Sequence, residues 1–145
     1  MDDIIKADIL EVCPSPYGHA IFMRAEKKIF IIYVDRQRGA ALQSALDAIH
    51  SDRPLTHEFF VQLLDGLDCD VKNVLIYGAE DGTFFTRICV EMNNELGRKI
   101  IEVDGRPSDT FAIAVRAGAP IFINEKTLAS LEDMSEAFKK IKGEQ

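Results

Sequence analysis

Asp104, Arg106 and Asp109 fall within six residues, in the stretch VDGRPSD, which runs straight into the almost uncharged segment TFAIAVRAGAPIF. Carboxylates bind divalent cations through oxygen and serve as general bases. A guanidinium grips phosphate with two parallel N–H bonds. The set is therefore suited to phosphate chemistry. Pro107 forces Arg106 into an extended conformation, and Ser108 or Asp109 is expected to cap the helix that follows, with Asp109 complementing its dipole. Phe111, Ala112, Ile113, Ala114, Val115 and Ala117 cover nearly every direction around that helix, so it must be buried, with Gly118 ending it. A buried helix fixes its own N-terminus in space, and such an N-terminus with an arginine beside it is a ready phosphate site. The alternative is that Arg106 pairs with Asp104 or Asp109 and only fixes the loop.

A second carboxylate joins this set through strand pairing. If residues 83–92 and 98–104 form a hairpin, the register that sets Val90 opposite Ile101 and Ile88 opposite Val103 aligns the apolar face. It also sets Arg87 opposite Asp104 and Cys89 opposite Glu102, so Glu102 and Asp104 share the other face. Two such carboxylates can hold a divalent cation or supply a base. Their plain alternative is a solvated sheet face with a weak cross-strand ion pair. His57, beside Glu58 in the first turn of another helix, titrates near neutrality and could act as acid or base; alternatively it is an exposed or capping residue. His19 and His50 have no partners at metal spacing. Phosphate-loop, dinucleotide, zinc-protease and hydrolase-elbow motifs are absent from the sequence.

These residues need elements to position them. Ile4 to Val12 reads as a strand, stopped by the turn-formers of Cys13–Gly18. Ala20–Arg24 and Ile29–Val34 flank Glu26-Lys27-Lys28 as a hairpin. Leu42, Ala45, Leu46 and Ile49 mark an amphipathic helix. Thr56 is the expected cap of a second helix, whose apolar face is Phe59, Phe60, Leu63, Leu64 and Leu67. Val71–Tyr77, Thr83–Met92, Arg98–Asp104 and Pro120–Ile123 read as strands. Leu131, Met134, Ala137, Phe138 and Ile141 fall at helical spacing near the C-terminus. Hairpins mixed with helices, without regular βαβ alternation, predict an α+β fold: one domain over 1–130, a mixed or antiparallel sheet packed against several helices, and a helical tail over 131–145.

At 145 residues and 47% hydrophobic, the chain can bury a core. Its apolar runs are shorter than the ~18 residues a membrane helix needs, and its acidic N-terminus lacks the basic start of a signal peptide. The expectation is a soluble cytoplasmic protein with no membrane partner. Cys13, Cys69 and Cys89 have no zinc or CxxC spacing and read as reduced thiols. The net charge of −7 argues against charge-driven duplex binding.

Arg53-Pro54-Leu55-Thr56-His57-Glu58, Asp81-Gly82-Thr83-Phe84, Asp104-Gly105-Arg106-Pro107-Ser108-Asp109 and Gly118-Ala119-Pro120-Ile121-Phe122 together resemble the bifunctional nuclease family in order and spacing, over about Ile4 to Leu128. The resemblance implies an α+β domain, often a homodimer, that hydrolyses phosphodiester bonds of RNA and DNA; the acidic net charge makes single-stranded nucleic acid the expected partner. Carried over onto matching positions, it makes His57, Asp104 and Asp109 catalytic candidates and Arg53, Arg106 and Ser108 phosphate ligands. Glu58, beside His57, joins the catalytic candidates, and Glu102, by its place beside Asp104 on the strand, would share with it a divalent Mg or Mn ion. Thr56 also matches, and Glu58 stands where aspartate is more usual. Asp35-Arg36-Gln37-Arg38-Gly39 departs from the family, Asp35 and Arg38 replacing a usual glycine and glutamate. The competing expectation is a non-catalytic dimeric binding or regulatory module whose Arg-Pro motifs are structural.

Overall fold

A computed structural model describes residues 3–143. Its centre is one seven-stranded sheet in the order β3-β2-β1-β7-β4-β5-β6. The strands are β1 (Ile4–Ser15), β2 (Gly18–Ala25), β3 (Lys28–Val34), β4 (Cys69–Glu80), β5 (Thr83–Asn94), β6 (Gly97–Gly105) and β7 (Ile121–Asn124). Two antiparallel meanders, β1–β3 and β4–β6, are joined by β7, antiparallel to β1 and parallel to β4. The helices are α1 (Arg36–Leu46), α2 (Thr56–Gly66), α3 (Pro107–Ala117), α4 (Glu125–Ser130) and α5 (Ser135–Ile141). The α+β class read from the sequence holds.

The main core lies between the sheet and α1–α3, where Ile21, Met23, Phe30, Leu42, Val74, Ile76, Phe111, Ala114 and Ile123 are almost entirely buried. α3 is the central helix, touching α1, α2, β4 and β5. Alanines on its faces let those neighbours approach closely, and Gly118 ends it at φ 70°, a left-handed turn that glycine takes without strain. A smaller cluster covers the opposite face of β1–β3: Ala20, Phe22 and Ile29 pack with Phe138 of α5, the Phe22 and Phe138 rings 5.1 Å apart. The C-terminal segment is fastened there. Lys28 Nζ donates to the carbonyls of Leu128 and Leu131 at 2.8 Å each, and Met134 N–H donates to the Ile29 carbonyl at 2.7 Å.

Several local expectations change. β1 runs through Pro14 to Ser15; β7 pairs only its first residues, and along such an edge a proline is accommodated. α1 ends at Leu46, which leaves Ile49 outside the helix and exposed. Leu55, not Thr56, holds the cap position of α2, where its N–H donates to Glu58 Oε1 at 3.2 Å. Phe59, Phe60, Leu63 and Leu67 are exposed rather than core, while Val61 and Leu64 pack inward. The C-terminal helix begins only at Ser135, after an unforeseen α4 capped by Asn124, whose Oδ1 accepts from Thr127 N–H at 2.9 Å. Among the described residues no helix is long and apolar enough to cross a membrane, and the three cysteines are free and half-buried.

Candidate functional site

The mouth of α3 is built as its sequence dictates, with one change. Arg106 is extended at φ −72°, ψ 147° and itself holds the cap position, followed by Pro107; neither Ser108 nor Asp109 caps the helix. Asp109 in the first turn accepts from Arg106 instead, Nε at 3.0 Å and Nη2 at 2.9 Å. Both side chains are about half exposed, a setting in which an ion pair holds weakly and a phosphate can compete for the guanidinium. Ser108 is buried. Behind it, the hydroxyls of Thr86 and Thr110 lie 2.9 Å apart and Thr86 donates to the Gly105 carbonyl at 2.6 Å, which clamps β5, β6 and the start of α3 together.

This mouth opens on a cleft of about 910 Å³ between the three large helices and β5–β6. Its walls are apolar: Ile88 and Val90 of β5, Ile101 and Val103 of β6, Phe60 and Leu64 of α2. Its polar border carries Arg38, His57, Asp104, Arg106, Ser108 and Asp109. Five of the sequence-derived candidates, His57, Asp104, Arg106, Ser108 and Asp109, thus border one cleft; Arg53, Glu58 and Glu102 do not line it. Arg53 stands exposed in the turn before α2.

The β5–β6 register is the one the sequence predicts, Arg87 opposite Asp104 and Cys89 opposite Glu102. The ion pair runs diagonally, Arg87 Nε to Glu102 at 3.7 Å. Asp104 accepts a short hydrogen bond from the Tyr77 hydroxyl, which raises the Tyr77 pKa, and the Arg87 guanidinium lies 4.9 Å over the Tyr77 ring. Both carboxylates are therefore engaged; Asp104 still borders the cleft, whereas Glu102 does not. Among the described residues no group of three or more His, Cys, Asp or Glu side chains could hold a metal ion.

His57 and Glu58 are buried and belong to a cluster whose hub the sequence reading passed over. The Arg116 side chain, 7% exposed, reaches from the last turn of α3 to 3.8 Å from Glu58 Oε1. Its Nε donates to His57 Nδ1 at 3.3 Å, and its Nη2 to the carbonyls of Ser44 (3.4 Å) and Ile49 (a short contact). His50 Nδ1 donates to Glu58 Oε2 at 2.9 Å. Its bonds to His50 and Leu55, more than the nearby Arg116, hold Glu58 below the usual carboxylate range. Burial first, then the Arg116 charge, pushes His57 below the usual histidine range, so it is neutral near pH 7. A signal for this hub was present: Arg116 is the one charge in an otherwise apolar helix stretch, and a charge there must find partners. Asp35 caps α1, accepting from Arg38 N–H at 2.8 Å and pairing with its guanidinium. This pairing accompanies the placement of Arg38 on the cleft border.

Comparison with known proteins fits this arrangement. The chain is similar to two Mycobacterium tuberculosis proteins described as uncharacterized, MT1877 of strain CDC 1551 / Oshkosh and Rv1829 of strain H37Rv. Each is 34% identical over 98 residues, 68% of this chain and 56% of the relative, so the chain spans little more than half their length. The profile of the bifunctional nuclease domain matches residues 21–135, which include every border residue of the cleft named above. With most of its length matched by the family's profile, the chain belongs to the bifunctional nuclease domain family.

Proposed function

We propose that the protein is a phosphodiesterase acting on single-stranded RNA or DNA, with the reacting phosphate held at the mouth of α3. The observation that supports this most is the grouping of Arg106, Ser108 and Asp109 at the N-terminus of a buried helix, on a cleft that His57 also borders. Arg106 holds two phosphate oxygens and stabilises the charge that grows on them in the transition state. Asp109 aligns the guanidinium through Oδ2, and its Oδ1 would accept a proton from the attacking water, the leaving oxygen taking its proton from solvent. Ser108 donates from the helix mouth, and His57 hydrogen-bonds as a neutral ring rather than as an imidazolium acid. Asp104, with Glu102 beside it on the strand, would be the residue to hold a Mg or Mn ion, which would neutralise charge on the phosphate; the chelator arm of the test below addresses this. The acidic net charge favours a single strand over a duplex. The free thiols suit a reducing compartment, the cytoplasm.

The test is hydrolysis of single-stranded RNA and DNA, with and without chelator, by the parent and by Arg106→Ala. The variant should lose about a hundredfold in turnover. Unchanged turnover in Arg106→Ala would remove the proposed site. A second reading, a non-catalytic dimeric module, is favoured by one observation: Arg106 and Asp109 satisfy each other in a way that needs no substrate. Under that reading inorganic phosphate leaves the melting temperature of the parent unmoved, whereas a phosphate site raises it.

A further inference from the structure

Arg106 shares the border of the cleft with a second guanidinium, that of Arg38, for which the phosphodiesterase reading has no use. Arg38 stands in the first turn of α1, where the cap residue Asp35 holds it at two points. Asp35 Oδ1 accepts from the Arg38 backbone N–H at 2.8 Å, and Oδ2 accepts a short bond from Nη1 of the guanidinium. The side chain is thereby fixed, although it is 40% exposed. A guanidinium has five N–H donors. Arg38 gives one to Asp35. Its Nε and Nη2, the edge that grips an oxyanion with two parallel bonds, have no partner among the described residues. The acids on the same border are engaged elsewhere, Asp104 by Tyr77 and Asp109 by Arg106. The two arginines also stand near one another. Asp35 lies below the usual carboxylate range, first through its bond from the Arg38 backbone, then through the Arg38 side chain, and also because the Arg106 charge reaches it. The starts of α1 and α3 therefore meet at one end of the cleft, each bringing a guanidinium.

Two fixed guanidiniums around one opening suit an anion with two charged centres. A nucleic-acid strand is such an anion, with one phosphate per nucleotide at regular spacing. We propose that Arg38 is a second phosphate ligand, which takes the phosphate next along the strand from the one at Arg106. This rests on the phosphodiesterase reading and adds to it the substrate class: a strand with consecutive phosphates rather than an isolated diester. It also accounts for how a chain of net charge −7 holds a polyanion, since two phosphates meet fixed cations and no broad basic surface is needed. The salt dependence is accordingly shallow. Two contacts to a single strand give a slope of log K against log salt of about −1.4, and one contact gives about −0.7.

The experiment is binding without turnover, by calorimetry, with thymidine 3′,5′-bisphosphate, thymidine 5′-monophosphate and thymidine 5′-diphosphate. The bisphosphate carries its phosphates on either side of the sugar, as a strand does; the diphosphate carries similar charge on one side only. The parent protein should bind the bisphosphate about tenfold tighter than the monophosphate, the scale of one hydrogen-bonded contact between charged groups. The diphosphate should show little of that gain. Arg38→Gln should bring the bisphosphate down to the affinity of the monophosphate, and Arg38→Lys should keep part of the gain. In a salt titration of a phosphorothioate octathymidylate, Arg38→Gln should flatten the slope by about 0.7. Equal affinities for bisphosphate and monophosphate in the parent, a diphosphate bound as tightly as the bisphosphate, or a gain that survives Arg38→Gln would each overturn the inference. The comparison in the parent needs no variant to fold. A bisphosphate preference with no hydrolysis of oligonucleotides would sink the phosphodiesterase reading and leave this one standing; hydrolysis without that preference would do the reverse.

Discussion

A guanidinium buried to the extent of Arg116 must find acceptors for its donors, and its side chain finds them on three elements: the end of α1, the start of α2 and the turn between them. Removing it leaves His57 Nδ1 and two carbonyls without their donor and takes the cation from beside Glu58. Arg116→Ala should therefore cost about 3 kcal/mol in urea denaturation, the scale seen when one partner of a buried charged cluster is deleted. The same cluster makes stability depend on acid. Both His57 and Glu58 have folded-state pKa values below their unfolded ones. Each therefore contributes stability that is complete above its unfolded value, about 6.5 and about 4.3, and is lost as pH falls through its lower folded value. Melting temperature should decline in two stages on acidification, the first setting in below about pH 6.5. In His57→Phe the first stage should vanish. A parent melting temperature flat from pH 7 to pH 5 would refute the account of His57.

The elements carry the site through close packing. α1 crosses β2 at Gly39, where an added Cβ would come within 2.4 to 2.5 Å of the Cγ, Cβ and Nδ1 atoms of His19. Those atoms lie near the backbone and cannot swing away cheaply. Alanine gains up to ~1 kcal/mol of helix propensity over glycine, while overpacking costs ~1–3 kcal/mol. Gly39→Ala should thus be net destabilising by about 1 kcal/mol, read from the denaturation midpoint. Helix α2 divides its apolar residues by direction. Phe60 and Leu64 line the cleft, while Phe59, Leu63 and Leu67, one turn apart, face outward about half exposed. Periodicity marked all five as one apolar face; four of them are helical, and Leu67 is the residue that closes the helix. It could not say that part of that face would meet no other part of the same chain.

For the molecule as a whole, the outward stripe of α2 and the exposed Ile100 on edge strand β6 are the places where a homodimer would form. If the dimer expectation holds, sedimentation at micromolar concentration should give twice the monomer mass, and Leu63→Glu should return the monomer with its melting temperature little changed. Monomeric parent protein at those concentrations would remove the dimer from the proposal.

The sequence by itself determined what depends on neighbours along the chain or on period-2 and period-3.6 patterning. It yielded the hairpins, the β5–β6 register, the extended Arg106 before Pro107, the buried helix α3 and its glycine end. Backbone sterics and side-chain alternation act locally, so a single strand of text carries them. The cap positions failed because several residues of similar chemistry stood within one turn, and only the path of the preceding loop chose Leu55 and Arg106 over Thr56, Ser108 and Asp109. Tertiary structure alone decided that Arg116 meets His57, residues 59 apart in sequence, and that Asp104 turns to Tyr77 while Arg106 turns to Asp109. Those choices depend on how α3 docks against α1, α2 and the sheet. A charge accepts whichever partner that docking brings within reach, and nothing in local sequence ranks the partners.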